Sequence, residues 1–246
     1  MIRMSKKLSS GTLNLMRDAI STSTILGIER LVIDGHSLRG ESQENGTMML
    51  LPFPDGTELE FGAIGISRVP VLKARLRLLG DDGVIIPEYK TRDSGEQFIF
   101  RLSLQKAKTK IDFKCADPAQ IKAPKGFKDP DSFRFTFTSD DIKLMLSAKA
   151  AMQSDKVTFL SDDGKTVMFS ISATEGDALK HELESSIDTL TDTTSFVANY
   201  KTRILFPVLK EISDAAKNAD VEVIVTRRGI MKVEVNDIPI YIFPEV

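Results

Sequence analysis

Apolar positions along this chain fall mostly into short alternating runs separated by turn dipeptides, with four stretches where the spacing switches to that of a helix. Ile2, Met4 and Leu8 alternate across Met1–Leu8, a strand interrupted by Lys6. Ser9 or Ser10 then supplies an N-cap, and Leu13, Met16 and Ile20 recur at helical spacing, which predicts a helix over Ser10–Ile20. The pieces Ile25–Ile28, Leu31–Ile33, Met48–Leu51 and Leu59–Phe61 are punctuated by Asp34-Gly35, Asn45-Gly46 and Asp55-Gly56. Such dipeptides suit tight hairpins, so this region is predicted to be an antiparallel meander. Arg68–Leu79 returns to helical spacing, with Val71, Leu72, Leu76 and Leu79 apolar and Pro70 near the first turn. Strands are predicted next at Val84–Ile86, Phe98–Leu104 and Lys110–Cys115.

The run from Cys115 to Pro130 then holds three prolines and one glycine, so no helix or central strand passes through it and it acts as a connector. Beyond it the order repeats. Phe133, Phe135 and Phe137 alternate with Arg134 and Thr136, the pattern of a half-buried strand. Thr138 or Ser139 caps a helix that carries Asp140 and Asp141 in its first turn and runs to about Gln153. Val157–Leu160 and Thr166–Ile171 flank the hairpin signal Asp162-Asp163-Gly164. Strands are predicted at Ala178–Ile187 and Ser195–Asn199, a helix at Arg203–Ser213, and closing strands at Val221–Val225, Met231–Val235 and Ile238–Ile242. Two short matches, in the same order on matching elements, favour a duplication over coincidence in an ordinary α+β protein. Leu13-Asn-Leu-Met16 matches Ile142-Lys-Leu-Met145 at an offset of 129 residues, and Pro70-Val-Leu-Lys73 returns as Pro207-Val-Leu-Lys210 at an offset of 137. The expectation is an α+β protein made of two duplicated domains, 1–116 and 131–246, joined by a connector at 117–130, each with two helices on antiparallel sheets.

Composition narrows the chemistry. With 246 residues, 41% hydrophobic and 28% charged, each half is large enough to bury its own core. No apolar run is as long as a membrane span and the N-terminus lacks a signal-peptide core, which points to the cytoplasm. The single Cys115 makes no internal disulfide and is expected as a small buried hydrophobe. His36 and His181, the only histidines, sit in polar sequence without ligand-spaced partners and are expected on the solvated surface. Asp81-Asp82 and Asp162-Asp163 each precede a glycine and are explained as turns without a metal. There is no glycine-rich phosphate loop and no nucleophile in a recognisable setting, so the chain is expected to be non-catalytic, with no cofactor and no metal.

Charge is distributed unevenly. The net formal charge is −2, yet Ser67–Leu79 carries Arg68, Lys73, Arg75 and Arg77 with no acid, and Asn199–Lys210 carries Lys201, Arg203 and Lys210 with none. Positive charge gathered on helices of an otherwise acidic chain reads as a surface that meets phosphates without reading bases.

Several runs resemble a known family. Ile111-Asp-Phe-Lys-Cys-Ala-Asp-Pro-Ala-Gln-Ile-Lys-Ala-Pro124 is similar to the end of the first domain and the connector of the DNA sliding clamps, specifically the DNA polymerase processivity factors of T-even-type phages, within the superfamily of proliferating cell nuclear antigen. The helix from Asp141 to Met152 and its hairpin match in pattern, and Tyr200-Lys-Thr-Arg-Ile-Leu-Phe-Pro-Val-Leu209 resembles the approach to the last helix of cellular and bacterial clamps. The chain departs from the family in Met48–Gly56 and in its short ending. The resemblance implies a head-to-tail homotrimeric ring of clamp-type domains that encircles double-stranded DNA, is placed by a clamp loader and tethers the replicative DNA polymerase. On the matching helices it implies DNA contacts from Arg17, Lys73, Arg75, Arg77, Lys143, Lys149, Lys201, Arg203 and Lys210. It implies a partner-peptide pocket from Ile121, Pro124, Phe127, Tyr241, Phe243 and Pro244, and ring closure by pairing Thr109–Cys115 with Ala178–Ile187 of a neighbour. The alternative carried by the same residues is a non-enzymatic duplicated α+β binding or assembly protein, such as a phage structural component.

Overall fold

A computed structural model describes residues 10–53, 62–80, 83–124, 129–173, 176–183, 188–189, 195–215, 220–235 and 237–245. The chain divides into two compact units, Met1–Ser42 with Met48–Lys125, and Gln43–Thr47 with Gly126–Val246.

The first unit opens with α1 (Ser10–Ile25), followed by β1 (Leu31–Ile33), β2 (Ser37–Ser42), β3 (Thr47–Pro52) and β4 (Ala63–Ile66). Next come α2 (Val69–Leu79), β5 (Val84–Thr91), β6 (Gln97–Lys106) and β7 (Thr109–Lys114). Strand order is β3-β2-β1-β4-β6-β5. β5 takes one edge of β6, so the other edge is shared by β4, in parallel at Phe98 and Ile99, and β7, antiparallel along Arg101–Lys106. α1 lies against α2. Helix α2 begins where Pro70, which has no N–H to satisfy, occupies the first turn, and it ends at Gly80, whose φ of 60° suits a residue without a Cβ. Its buried stripe is Val69, Leu72, Leu76 and Leu79; Val71, read from sequence as part of that stripe, is exposed.

The second unit runs β8 (Asp131–Phe137), α3 (Ser139–Met152), β9 (Lys156–Ser161), β10 (Met168–Ser172), β11 (Ala178–Glu182) and β12 (Asp188–Thr189). It continues with β13 (Phe196–Lys201), α4 (Thr202–Ala215), β14 (Val221–Thr226), β15 (Met231–Val235) and β16 (Ile238–Ile242). Its sheets are ordered β11-β10-β9-β13 and β12-β8-β14-β15-β16. Thr138 and Asp141 form a reciprocal capping box that starts α3, and Gln153 closes that helix in the left-handed conformation. In α4, Pro207 removes the N–H that would bond the carbonyl of Arg203, and it does so on the exposed face, where water can replace it. Phe133, Phe135, Phe137, Phe159 and Phe169 pack with Tyr200 into a core of tilted and edge-on ring contacts, 4.8–6.2 Å between centroids where Phe196 is included.

The two units share one plan. In each, a helix leads into a sheet in which the first strand after the helix sits between the second and the last, β3-β2-β1-β4 in one and β11-β10-β9-β13 in the other. A second helix then leads into a three-strand meander, β5-β6-β7 and β14-β15-β16. Several local expectations are corrected. Ile25–Ile28 is no strand: Ile25 closes α1 and Leu26 and Gly27 turn the chain, because Thr22 and Ser23 still supply helical acceptors to Leu26 and Ile28. Ser37–Ser42 and Ala63–Ile66 are strands that sequence did not mark; small and polar residues hide the alternation. Met1–Leu8 and Leu59–Phe61 lie outside the described residues.

Candidate nucleic-acid interface

Helices α1 and α2 pack side by side and leave a cleft of about 290 Å³ lined by Arg17, Ser21, Lys73, Arg77 and Gly80 over Ile20 and Leu76. Three of the cations singled out in sequence therefore meet in one groove. Arg17 Nη2 donates to the carbonyl of Gly80 (2.8 Å), which ties the start of the groove to the end of α2. Arg77 is exposed and makes no hydrogen bond or ion pair among the described residues.

Arg75 leaves this group. Its Nη1 donates to the carbonyl of Asp112 on β7 (2.8 Å), and its guanidinium lies over the ring of Phe113 at 5.5 Å. Arg68, at the head of α2, lies over the same ring at 5.2 Å and reaches the carbonyl of Lys114 at 3.5 Å. Phe113 is fully buried, so both arginines use their planar faces on an aromatic surface, where cation–π attraction adds to packing.

In the second unit Lys143 forms an ion pair with Asp140 at 2.9 Å, one turn earlier on α3. Lys149 Nζ sits 5.6 Å from the centre of the Phe206 ring. Arg203 and Lys210 are exposed on α4, seven residues apart and thus on one face, with Pro207 exposed between them. Neither has a hydrogen bond or ion pair among the described residues. Lys201, which sequence grouped with this helix, is instead the last residue of β13; its Nζ is 3.5 Å from the carbonyl of Glu44 and 3.9 Å from the carboxylate of Glu245.

The residues singled out for a partner peptide are distributed over both units. Phe243 and Pro244 line a cleft of about 310 Å³ in the second unit, together with Glu44, Gly46, Lys201 and Ile204. The chain end is laid in place by backbone bonds from Phe243 N–H to Gly46 (2.8 Å) and from Glu245 N–H to Asn199 (2.7 Å). Tyr241 is half-buried on β16, and burial, reinforced by the Asp131 and Glu234 carboxylates, raises its hydroxyl above the ordinary tyrosine range. Ile121 and Pro124 belong to the first unit, and Phe127 lies outside the described residues.

The entry to the connector is anchored more strongly than its prolines suggest. Asp117 caps the short turn Pro118–Gln120 by accepting from Ala119 N–H (2.9 Å), and Arg92 grips both of its oxygens from the β5–β6 turn while also bonding Glu96. The Arg92 guanidinium holds the Asp117 carboxyl below the usual carboxylate range. Ile121 is buried because Gly65 leaves room for it: a Cβ there would lie 2.9 Å from Ile121 Cδ1 and 2.7 Å from the carbonyl of Ala116. Sequence reasoning passed over Arg92, since its two acidic partners lie 4 and 25 residues away and only the hairpin brings them together.

Cys115 is buried, which pushes its thiol up to about 12. His36 is exposed beside the Asp34 turn. His181 is not the solvated residue expected: it is half-buried, 3.1 Å from the buried Asp141 carboxylate and 5.2 Å from the Phe169 ring. Asp163 is spent on turn amides, accepting from Lys165 and Thr166 N–H. Asp81-Asp82 lies outside the described residues, and among those described no group of three or more His, Cys, Asp or Glu side chains is placed to hold a metal. No helix of the described residues is long and apolar enough to cross a membrane.

No protein-family model and no curated protein sequence matches the chain. Solved structures do. PCNA from Thermococcus kodakaraensis superposes with a TM-score of 0.60 at 12% identity, covering 97% of this chain and 98% of that one. The fold is that of PCNA. A. fulgidus PCNA, solved with the C-terminal region of FEN-1 bound, gives a TM-score of 0.62 at 12% identity over 94% of this chain and 95% of its own. The PCNA fold thus accounts for nearly the whole length, in architecture rather than in residues.

Proposed function

We propose that the chain is a non-catalytic DNA sliding clamp, of the T-even phage type, that encircles duplex DNA and tethers the replicative polymerase. The observation that carries this reading is the duplicated unit of the PCNA fold with cations on its helices, of which Arg77, Arg203 and Lys210 are exposed and have no hydrogen bond or ion pair among the described residues. Two clamp-type domains, 1–116 and 131–246, are joined by the connector 117–130, and three copies close head to tail around the duplex. Arg77 on α2, with Arg203 and Lys210 on α4, meets phosphates, and Arg17 and Lys73 line the groove beside Arg77; Arg17, Lys143 and Lys149 contribute less because Gly80, Asp140 and Phe206 already hold them. A ring held by topology needs only weak, sequence-independent attraction, which suits a chain whose net charge is −2.

Ring closure uses β7 of one copy and β11 of the next, each of which pairs with a single strand among the described residues. A polymerase segment with apolar anchors enters beside Phe243 and Pro244, with Ile121, Pro124, Phe127 and Tyr241 contributing, and a clamp loader opens the ring in the host cytoplasm. The polymerase then stays at the primer terminus through high effective concentration. The test is retention of the loaded protein on closed circular duplex and its release when that circle is cut. A species near three times 27.2 kDa is expected in sedimentation. Equal retention on linear and circular DNA refutes the encircling mechanism.

A further inference from the structure

The outward edges of β7 and β11 fit one another in a single register. On β7, Cys115 N–H donates to Phe100 (2.9 Å) next to the Arg101–Lys114 pair, so residues 111 and 113 turn their backbone groups toward β6. Lys110, Asp112 and Lys114 therefore turn theirs outward. On β11, Leu183 N–H donates to Val167 (2.8 Å) and Ala173 N–H to Asp177 (2.7 Å), so Leu179 and His181 face β10 while Ala178, Lys180 and Glu182 face outward. Side chains follow the same division. Lys110, Asp112 and Lys114 are exposed, with Ile111 half-buried and Phe113 buried on the other face; Ala178, Lys180 and Glu182 are exposed, with Leu179 and His181 half-buried.

We propose that β7 receives β11 of a second copy, antiparallel, with Lys110 opposite Glu182, Asp112 opposite Lys180 and Lys114 opposite Ala178. This rests on the self-association proposed above and adds its register. In this alignment both charged pairs are of opposite sign, and on the inner face Ile111 meets His181 and Phe113 meets Leu179, covering two half-buried aliphatic side chains. A shift of two residues one way sets Asp112 against Glu182 and Lys114 against Lys180; the other way, it sets Lys110 against Lys180. A shift of one residue brings outward backbone groups opposite groups already bonded to β10, and exchanges the faces. The carbonyl of Asp112 already accepts from Arg75, and its second lone pair remains for the N–H of Lys180. Arg75 thus belongs to this edge rather than to the phosphate groove.

The test is charge exchange in the full chain, read by mass photometry or sedimentation over a dilution series. Lys110→Glu or Glu182→Lys alone is expected to weaken self-association about tenfold or more, because a favourable cross-strand pair becomes a repulsive one. The double variant K110E/E182K restores it, since every contact then holds one reversed partner from each copy, and D112K/K180D behaves alike. In an Asp112→Cys/Lys180→Cys chain, oxidation links copies covalently. Assembly that persists while neither double variant rescues and no crosslink forms overturns the register and leaves the clamp reading standing. A wild-type chain that stays monomeric at every concentration overturns both.

Discussion

Neutralising the unpaired helix cations should lower the salt dependence of duplex binding in proportion to their number, and neutralising a paired one should not. Arg77, Arg203 and Lys210 are exposed and have no protein partner among the described residues, so each is free to displace a condensed counterion from DNA. One phosphate contact contributes roughly 0.9 to the slope of log affinity against log salt. A single Arg77→Gln, Arg203→Gln or Lys210→Gln change should therefore reduce that slope by about 0.9 per copy engaged, about a threefold effect over a fourfold range of salt. The triple variant should lose roughly 2.7 in slope, close to fortyfold over the same range. Lys143 is different, because Asp140 at 2.9 Å already neutralises it; Lys143→Gln should leave the slope nearly unchanged. The assay is fluorescence anisotropy of a short labelled duplex from 50 to 200 mM salt, with circular dichroism to show that each variant keeps its fold. A triple variant with the wild-type slope, or Lys143→Gln matching Arg77→Gln, refutes the assignment of these helices to the DNA.

Three further outcomes concern the scaffold. Gly65→Ala places a Cβ 2.7 Å from the carbonyl of Ala116 and 2.9 Å from Ile121, so it should destabilise the first unit by about 1–3 kcal/mol, seen as a lower melting temperature in calorimetry. Asp117→Asn should cost about 1 kcal/mol at neutral pH, a value kept small because Arg92 and Asp117 are 25% and 21% exposed. Since the folded carboxyl titrates below its unfolded value of about 3.9, the pair's contribution is complete above that pH and fades as pH falls through the depressed folded value; urea titrations of wild type and variant should converge there. The Cys115 thiol, raised to about 12 by burial, should react with an aromatic disulfide reagent at pH 8 only in denaturant.

Helix α3 and the β9–β10 hairpin were legible because their signals are local. Thr138 and Asp141 cap a helix three residues apart, Asp163 and Gly164 make a turn from adjacent positions, and Phe133–Phe137 alternates over one strand. The strand Ser37–Ser42 was missed for the converse reason: it is buried in part by backbone pairing with β1 and carries Gly40 where its neighbour Leu31 leaves no space for a Cβ. In the candidate interface, sequence found the cations but not their engagements. Arg75 is taken by a carbonyl 37 residues away, and Lys201 by a turn 157 residues away.

By itself, then, the sequence determined the order of elements, their duplication and the uneven placement of positive charge, since hydrophobic period, capping and turn chemistry act over a few residues. Which cations stay free for a phosphate was decided only by tertiary structure. Lys149 rests on Phe206, Arg75 on Phe113 and Asp112, and Arg17 on Gly80. Each of those contacts joins residues that are distant in the chain and become neighbours when helix packs on helix or sheet, and local periodicity carries no record of such distances.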